Sequence, residues 1–328
     1  MIIKYISIQK ITNNKIQKQI RPDNIVKIKF FVIKPEIKAT NNIEKNEMFI
    51  EINRFQAVTP GEIVLSLDWG LVDDDGQTFR NQLLTDDEQV NFSEYFGNIE
   101  HSGKKSNITK DNDRRLSTKL ADVSNIDKKL NVFKKNDPRR IFNLGNRLWH
   151  SDSSFKKIPA KYSLLSSKTI VKKGGNTEFS DMRLAYENLE DDIRNKIETL
   201  YCEHSLIYSR QRLGFDMEKE LSKSEIKNFK PVLQPMVRKI KENNRKTIYL
   251  SSHIGKIKGW LRPDTMCFVD DLIEYATQKK FKYVHKWKVN DLIMWDNRQT
   301  MHRVRSFDDV NETRDMRRTT IEGEEALI

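Results

Sequence analysis

The sequence predicts a mainly β fold with flanking helices, a β-sandwich or jelly roll in preference to a Rossmann sheet. Two observations carry this. Short apolar runs alternate with turns through the last third of the 328-residue chain, at residues 282–287, 291–295 and 317–321. Helix signals are few and are inserted among short strand candidates earlier in the chain. No internal repeat is present. With 37% hydrophobic residues, including 16 Phe, 9 Tyr and 5 Trp, a chain of this length can bury a sizeable core.

Taken in order, residues 25–33 read as a strand with partial alternation. Thr85 with Glu88 three residues later is a capping box, and Val90, Phe92, Tyr95 and Phe96 follow on one helical face. Residues 102–119 read as a polar mobile loop. Residues 123–142 suggest a strand, a polar excursion and renewed structure near Arg140. Ser180 is placed to cap a long helix carrying Leu184, Leu189, Ile193, Ile197 and Leu200. Residues 203–246 hold few strand signals, and Pro231 and Pro235 break any long helix. A short strand at 247–250 precedes a glycine-containing turn, and Asp264 or Thr265 caps a helix through Phe268, Leu272 and Tyr275.

Charge is uneven. The chain has 59 Lys+Arg against 47 Asp+Glu, a formal +12, yet residues 1–50 alone carry nine Lys and one Arg against one Asp and three Glu, or +6. That basic segment is the sole support for a nucleic-acid or acidic-surface binding function. Two cysteines, Cys202 and Cys267, exclude a disulfide framework or a cysteine-based zinc cluster. Both read as buried small residues. No apolar run approaches the roughly 20 residues that span a bilayer. The first ten residues lack the pattern of a signal peptide, so a soluble cytoplasmic protein is expected.

Two of the six histidines stand near chemistry-bearing partners. On an extended strand His150 and Asp152, at i and i+2, project to one side and can hold adjacent positions on a metal. By itself such a pair is more often a simple hydrogen bond on a surface strand. His302 is followed by Arg314, Arg317 and Arg318. Two His and one carboxylate leave half an octahedron open, as in non-haem Fe(II) oxygenases, and arginine grips an anionic cosubstrate. A basic surface strand accounts for the late segment equally well.

In combination the segments are specific. His150-Ser151-Asp152, Gly174-Gly175-Asn176-Thr177, Trp295-Asp296-Asn297-Arg298 leading to His302, and Arg314 through Thr320 occur in this order. Over roughly residues 79–321 the sequence resembles the taurine dioxygenase and 2,4-dichlorophenoxyacetate dioxygenase family of Fe(II)/2-oxoglutarate-dependent enzymes, nearest the 2,4-dichlorophenoxyacetate branch.

The resemblance implies a double-stranded β-helix (jelly roll) core with helices outside. It makes His150, Asp152 and His302 the iron ligands, with no catalytic side chain beyond them. It assigns Thr177 and Arg314 to the distal carboxylate of 2-oxoglutarate, and Arg318 to the anionic group of the primary substrate. Ser154 and Asn146 match pocket positions near the reacting carbon. Lys104 or Lys105 is either a second pocket cation or part of a solvated loop. Of the other histidines, His101 and His204 read as surface residues, and His253 and His285 as structural ones. Trp149 and Trp295 are expected to pack behind the metal face.

The implied reaction consumes O2 and 2-oxoglutarate, releases succinate and CO2, and hydroxylates a small carboxylate of the aryloxyalkanoate type with ether cleavage. A sulfonate or sulfate ester such as taurine is the alternative substrate. Relatives commonly assemble as dimers or tetramers, which implies a homo-oligomer. Residues 1–78 depart from the family pattern, since residues 61–68 only echo its first strand and 71–78 are too short and acidic for the helix that should follow. The division expected is therefore a divergent segment, 1–78, and an oxygenase domain, 79–328.

Overall fold

A computed structural model describes residues 7–9, 27–31, 47–51, 64–67, 83–101, 108–241 and 244–327. The fold is mainly β with intervening helices. Its largest sheet has five antiparallel strands in the spatial order Val64–Leu67, Leu292–Asp296, Ala160–Thr169, Asp315–Glu322 and Ala121–Asp122. A second sheet runs Lys282–His285, Thr177–Asp181, Thr300–Val304, again antiparallel.

Strand alternation decides how these sheets are covered. On one face of the large sheet, Leu164, Leu292, Met294 and Ile321 pack with Val90 of the Asp86–Glu94 helix. On the other, Leu165, Ile293, Trp295 and Met316 meet Phe179 of the second sheet and Trp287, just beyond the end of its Lys282–His285 strand. All five residues of Leu292–Asp296 are buried, as a strand covered on both faces must be. Each buried Leu or Ile contributes about 1.5–3 kcal/mol. The helix also carries a buried polar anchor: the Gln89 amide donates to the carbonyls of Leu164 (3.2 Å) and Arg317 (3.1 Å) and accepts from the Ser166 hydroxyl (2.6 Å).

A third sheet, Ile254–Ile257, Tyr201–His204, Val232–Pro235, and a hairpin of Val237–Lys239 with Lys246–Ile248 complete the structure on the other side. Their core includes Ile248, Leu250 and Ile257, packed against Met182 and Ala185 of one helix and Val269 and Leu272 of another. Strands Ser7–Gln9, Lys27–Phe31 and Glu47–Glu51 form a separate antiparallel sheet, the middle one inside the strand expected at 25–33.

Several expectations need correction. Ser180 lies in a strand with its hydroxyl on the Ala276 carbonyl, and Asp181 does the capping through the amides of Arg183 (3.0 Å) and Leu184 (2.9 Å). The single long helix is two, Met182–Glu187 and Asp191–Glu198. The 262–276 helix starts earlier than Asp264, after Leu261 with Pro263 in its first turn. Thr265 instead donates to the Leu261 carbonyl (3.0 Å). Strands Tyr201–His204, Val232–Pro235 and Val237–Lys239 form where few strand signals were expected; the first two pair with each other across residues 205–231, and the third closes a local hairpin with Lys246–Ile248. The segment beginning at 123 is largely irregular, with the strand just before it and a helix at Pro138–Asn143. Cys202 is buried but Cys267 is exposed. His204 is fully buried, not on the surface. Lys104 and Lys105 lie outside the described residues.

Candidate metal centre and adjoining pocket

His150 and His302 are held opposite each other by a two-way backbone bridge. The His150 amide donates to the His302 carbonyl (3.0 Å), and the His302 amide returns the bond (2.9 Å). Their rings lie 4.2 Å apart, centre to centre. Asp152 arrives differently from the strand expectation, because residues 152–155 form a turn with Ser153 at φ 52°. One extended residue and one turn residue therefore converge. Asp152 Oδ1 is 3.8 Å from His150 Nε2 and Oδ2 is 3.7 Å from His302 Nε2. One ligand atom from each of the three residues lies within 4.8 Å of the others, and all three residues are buried.

Neighbours fix the donor atoms. His150 Nδ1–H donates to the Leu148 carbonyl (2.7 Å), which leaves Nε2 as the lone-pair nitrogen toward Asp152. Ser163 donates to Asp152 Oδ2 (2.7 Å) and accepts from the Asn297 amide (2.8 Å). Asn297 Oδ1 in turn accepts from the Asp152 amide (3.2 Å) and the Trp295 indole (2.9 Å). The Trp295 ring packs 4.6 Å from that of His302. Trp149 belongs to the helix-side core, with the Arg303 guanidinium 4.5 Å over its ring.

Burial lowers the pKa of both histidines, so their rings are neutral. Burial pushes the Asp152 carboxyl up, but the charge of the Arg318 guanidinium, together with the hydrogen bond donated by Ser163, outweighs it and holds it near 2. Two neutral nitrogens and one ionised carboxylate face one point. Such a set suits a divalent first-row metal.

The arginines differ in their charge balance. Arg318 Nη1 donates to Asp152 Oδ1 (2.5 Å), while its Nε is buried with no partner among the described residues. Arg314 is 5% exposed and has no carboxylate within ion-pair distance among the described residues; burial brings it down to about 10. Gly175, at φ +65°, lets the preceding turn close on it, since a Cβ there would lie 2.8 Å from Val171 and 3.4 Å from Arg314 Nε. A small cavity touches His150, His302, Thr177, Asn146, Arg314 and Arg318. The Thr177 hydroxyl accepts from the Trp287 indole (2.9 Å) and is buried.

A larger cavity of about 1020 Å³ opens beside it, lined by His150, Asp152, Asn146 and Arg318 and by the apolar residues Phe142, Phe155, Leu206, Leu221 and Phe229. Ser154 is 0% exposed and stands behind this wall, its hydroxyl shared by His253 Nδ1 (3.0 Å) and His204 Nδ1 (3.1 Å). The structure thus brings His150, Asp152, His302, Thr177, Asn146, Arg314 and Arg318 around connected space and sets Ser154 one layer back. Sequence reasoning missed Ser163, which no motif marks, and the buried wall residue Arg210. It passed over Asn297, although the Trp-Asp-Asn-Arg segment displayed it. His285 is structural as expected, paired with Asp291 (2.9 Å), whereas His253 is also part of the cavity wall.

Comparison with known proteins places these features in context. Residues 61–320 match the family described as Taurine catabolism dioxygenase TauD, TfdA family. The chain is 38% identical over 246 residues to the alpha-ketoglutarate-dependent 2,4-dichlorophenoxyacetate dioxygenase of Burkholderia sp. (strain RASC), covering 75% of this chain and 80% of that protein. It is 30% identical to the (S)-phenoxypropionate/alpha-ketoglutarate-dioxygenase of Sphingobium herbicidovorans, covering 76% and 82%. Among solved structures, AAD-2 in complex with Mn(II) and N-oxalylglycine superposes with a TM-score of 0.70 at 50% identity, covering 76% of this chain and 84% of that one.

Proposed function

Since the chain belongs to the TauD, TfdA dioxygenase family, we propose that it is an Fe(II)/2-oxoglutarate-dependent dioxygenase that hydroxylates a small aryloxyalkanoate carboxylate. The observation that carries this reading is the triad of His150, Asp152 and His302 standing between an uncompensated buried cation, Arg314, and a cavity with apolar walls.

The donor set fits Fe(II): two neutral imidazoles and one carboxylate, with room left for a bidentate keto acid and O2. When bound, the iron supplies oxidative decarboxylation of 2-oxoglutarate to succinate and CO2, coupled to insertion of a hydroxyl into a substrate C–H. The chain's residues do the positioning. Arg314 and Thr177 bind the distal carboxylate of 2-oxoglutarate, which brings the missing counter-charge to Arg314. Ser163 and Asn297 hold the Asp152 carboxylate in place.

Arg318 keeps one donor on Asp152 and offers the rest to the substrate anion, which sets the carbon facing the metal. Asn146 lines the same cavity, and the phenyl and aliphatic wall takes the aryl ring and excludes water. Ser154 acts from behind the wall, by orienting His253. Where the hydroxylated carbon bears the ether oxygen, the product is a hemiacetal that collapses to an aryl alcohol and an oxo acid.

The same reading gives the two facing sheets the double-stranded β-helix arrangement, with 79–328 as the oxygenase domain and 1–78 as a divergent segment whose strand Val64–Leu67 joins the large sheet. It also implies a cytoplasmic homo-oligomer, a dimer or tetramer. Among the described residues no helix is long and apolar enough to cross a membrane. The test is a substrate panel with iron-loaded protein, read as succinate formed above the rate without substrate. Phenoxyacetate, 2-phenoxypropionate and 2,4-dichlorophenoxyacetate are expected to raise it and taurine to leave it unchanged. A panel in which no acid stimulates succinate formation sinks the reading.

A further inference from the structure

The cavity wall holds a third buried arginine, Arg210, that the reaction described above does not use. It lies in the Leu206–Gln211 helix, is 6% exposed and touches the large cavity. Its guanidinium lies 4.3 Å over the Phe142 ring and against Gly145, where a Cβ would fall 2.2 Å from Nη1. Phe142 and Gly145 thereby fix the plane of the fork. Nη1 donates to the Ser209 hydroxyl (2.9 Å), while Nε is buried with no partner among the described residues.

No carboxylate of the cavity wall is available to it. Asp152 is held by Arg318, Glu100 by Ser153 (2.7 Å) and Lys156 (2.7 Å), Asp122 by Arg115 (2.8 Å), and Glu225 by its own helix cap on Ser222 (2.8 Å). Burial alone brings Arg210 down to about 10. Once 2-oxoglutarate balances Arg314, Arg210 is the buried cavity cation whose counter-charge the wall does not supply.

Arg210 and Arg318 line the same cavity from different elements, the Leu206–Gln211 helix and the Asp315–Glu322 strand. Arg210 lies over Phe142 and shares the cavity with Leu221 and Phe229, part of the apolar wall that would take the aryl ring.

We propose that Arg210 is a specificity-determining residue that binds an acidic substituent on the aryl end of the substrate, so that the pocket prefers dianions carrying one acid at each end. This rests on the aryloxyalkanoate reading above. The test is calorimetric titration of the anaerobic Fe(II)/2-oxoglutarate-loaded protein with phenoxyacetate and with 4-carboxyphenoxyacetate. The wild type is expected to bind the dianion about tenfold or more tightly, the worth of a buried charge-assisted hydrogen bond. Arg210→Met is expected to abolish that preference, and Gly145→Ala to reduce it by displacing the guanidinium with its charge intact.

The 2-oxoglutarate affinity of each variant, read in the same way, reports an intact metal site. Equal binding of the two acids, binding of neither, or equal weakening of both in Arg210→Met overturns the proposal. Admitting O2 to the same samples and finding no succinate overturns the dioxygenase reading instead, and leaves the binding result standing.

Discussion

Arg314 and Asp152 are both buried ions with opposite fates when the site is empty. Asp152 is paired with Arg318 and accepts from the Ser163 hydroxyl, whereas Arg314 has no acid within reach among the described residues. Such a cation costs stability until an anion arrives. Arg314→Met is therefore expected to raise the melting temperature of ligand-free protein by roughly 2–5 °C and to erase the stabilisation that 2-oxoglutarate gives the wild type. A thermal melt with and without 2-oxoglutarate checks both; a lower ligand-free melting temperature would count against the charge argument. Ser163 makes a complementary case, because its hydroxyl links Asn297 to Asp152. Ser163→Ala is expected to weaken Fe(II) binding about 10–100-fold without altering the fold. Competition titration against a metal chelator measures it, and unchanged affinity would remove Ser163 from the support of the metal site.

At the scale of elements, the strand Tyr201–His204 carries a histidine that stays neutral in the folded protein well below the ordinary range. Burial, helped by the charge of Arg238, lowers the His204 pKa to about 3 from an ordinary 6.5. The unfolded chain therefore takes up a proton between those values that the folded one refuses. His204 contributes its full stability above pH 6.5 and loses it as the pH falls through this window, by about 1.4 kcal/mol per unit. In His204→Phe the acid limb of urea midpoint against pH is expected to flatten by one proton, and an unchanged slope would contradict the burial. The sequence suggested a surface residue here because its neighbours are polar; pairing with Ile254–Ile257 and Val232–Pro235 covers it. The Thr85 capping box was legible because all its atoms lie within four residues. The helix expected from Ser180 failed for a related reason. Helical periodicity from Leu184 to Leu200 runs through the break between two helices, and the pairing that makes 177–181 a strand is non-local.

For the whole molecule, the site joins residues near 150 to residues near 302 and 314, so no local pattern contains it. Its ligands were readable only because several short motifs recur in a fixed order; the geometry then replaced the strand argument for Asp152 with a turn. Arg210 was not readable at all, since nothing beside it in sequence signals a cavity. The +12 charge also changes meaning, because Arg210 and Arg314 are inside. Strand Val64–Leu67 borders the large sheet, against the fully buried Leu292–Asp296. Deleting residues 1–70 is therefore expected to lower the melting temperature more than deleting 1–58, and equal losses would show that the edge strand adds little. The central claim is met most directly by incubating the iron-loaded protein with 2,4-dichlorophenoxyacetate, 2-oxoglutarate and O2 and quantifying both products. Succinate and 2,4-dichlorophenol in a one-to-one ratio, with neither formed by His150→Ala, is the expected result. Succinate without the phenol, or phenol that persists in His150→Ala, would contradict it.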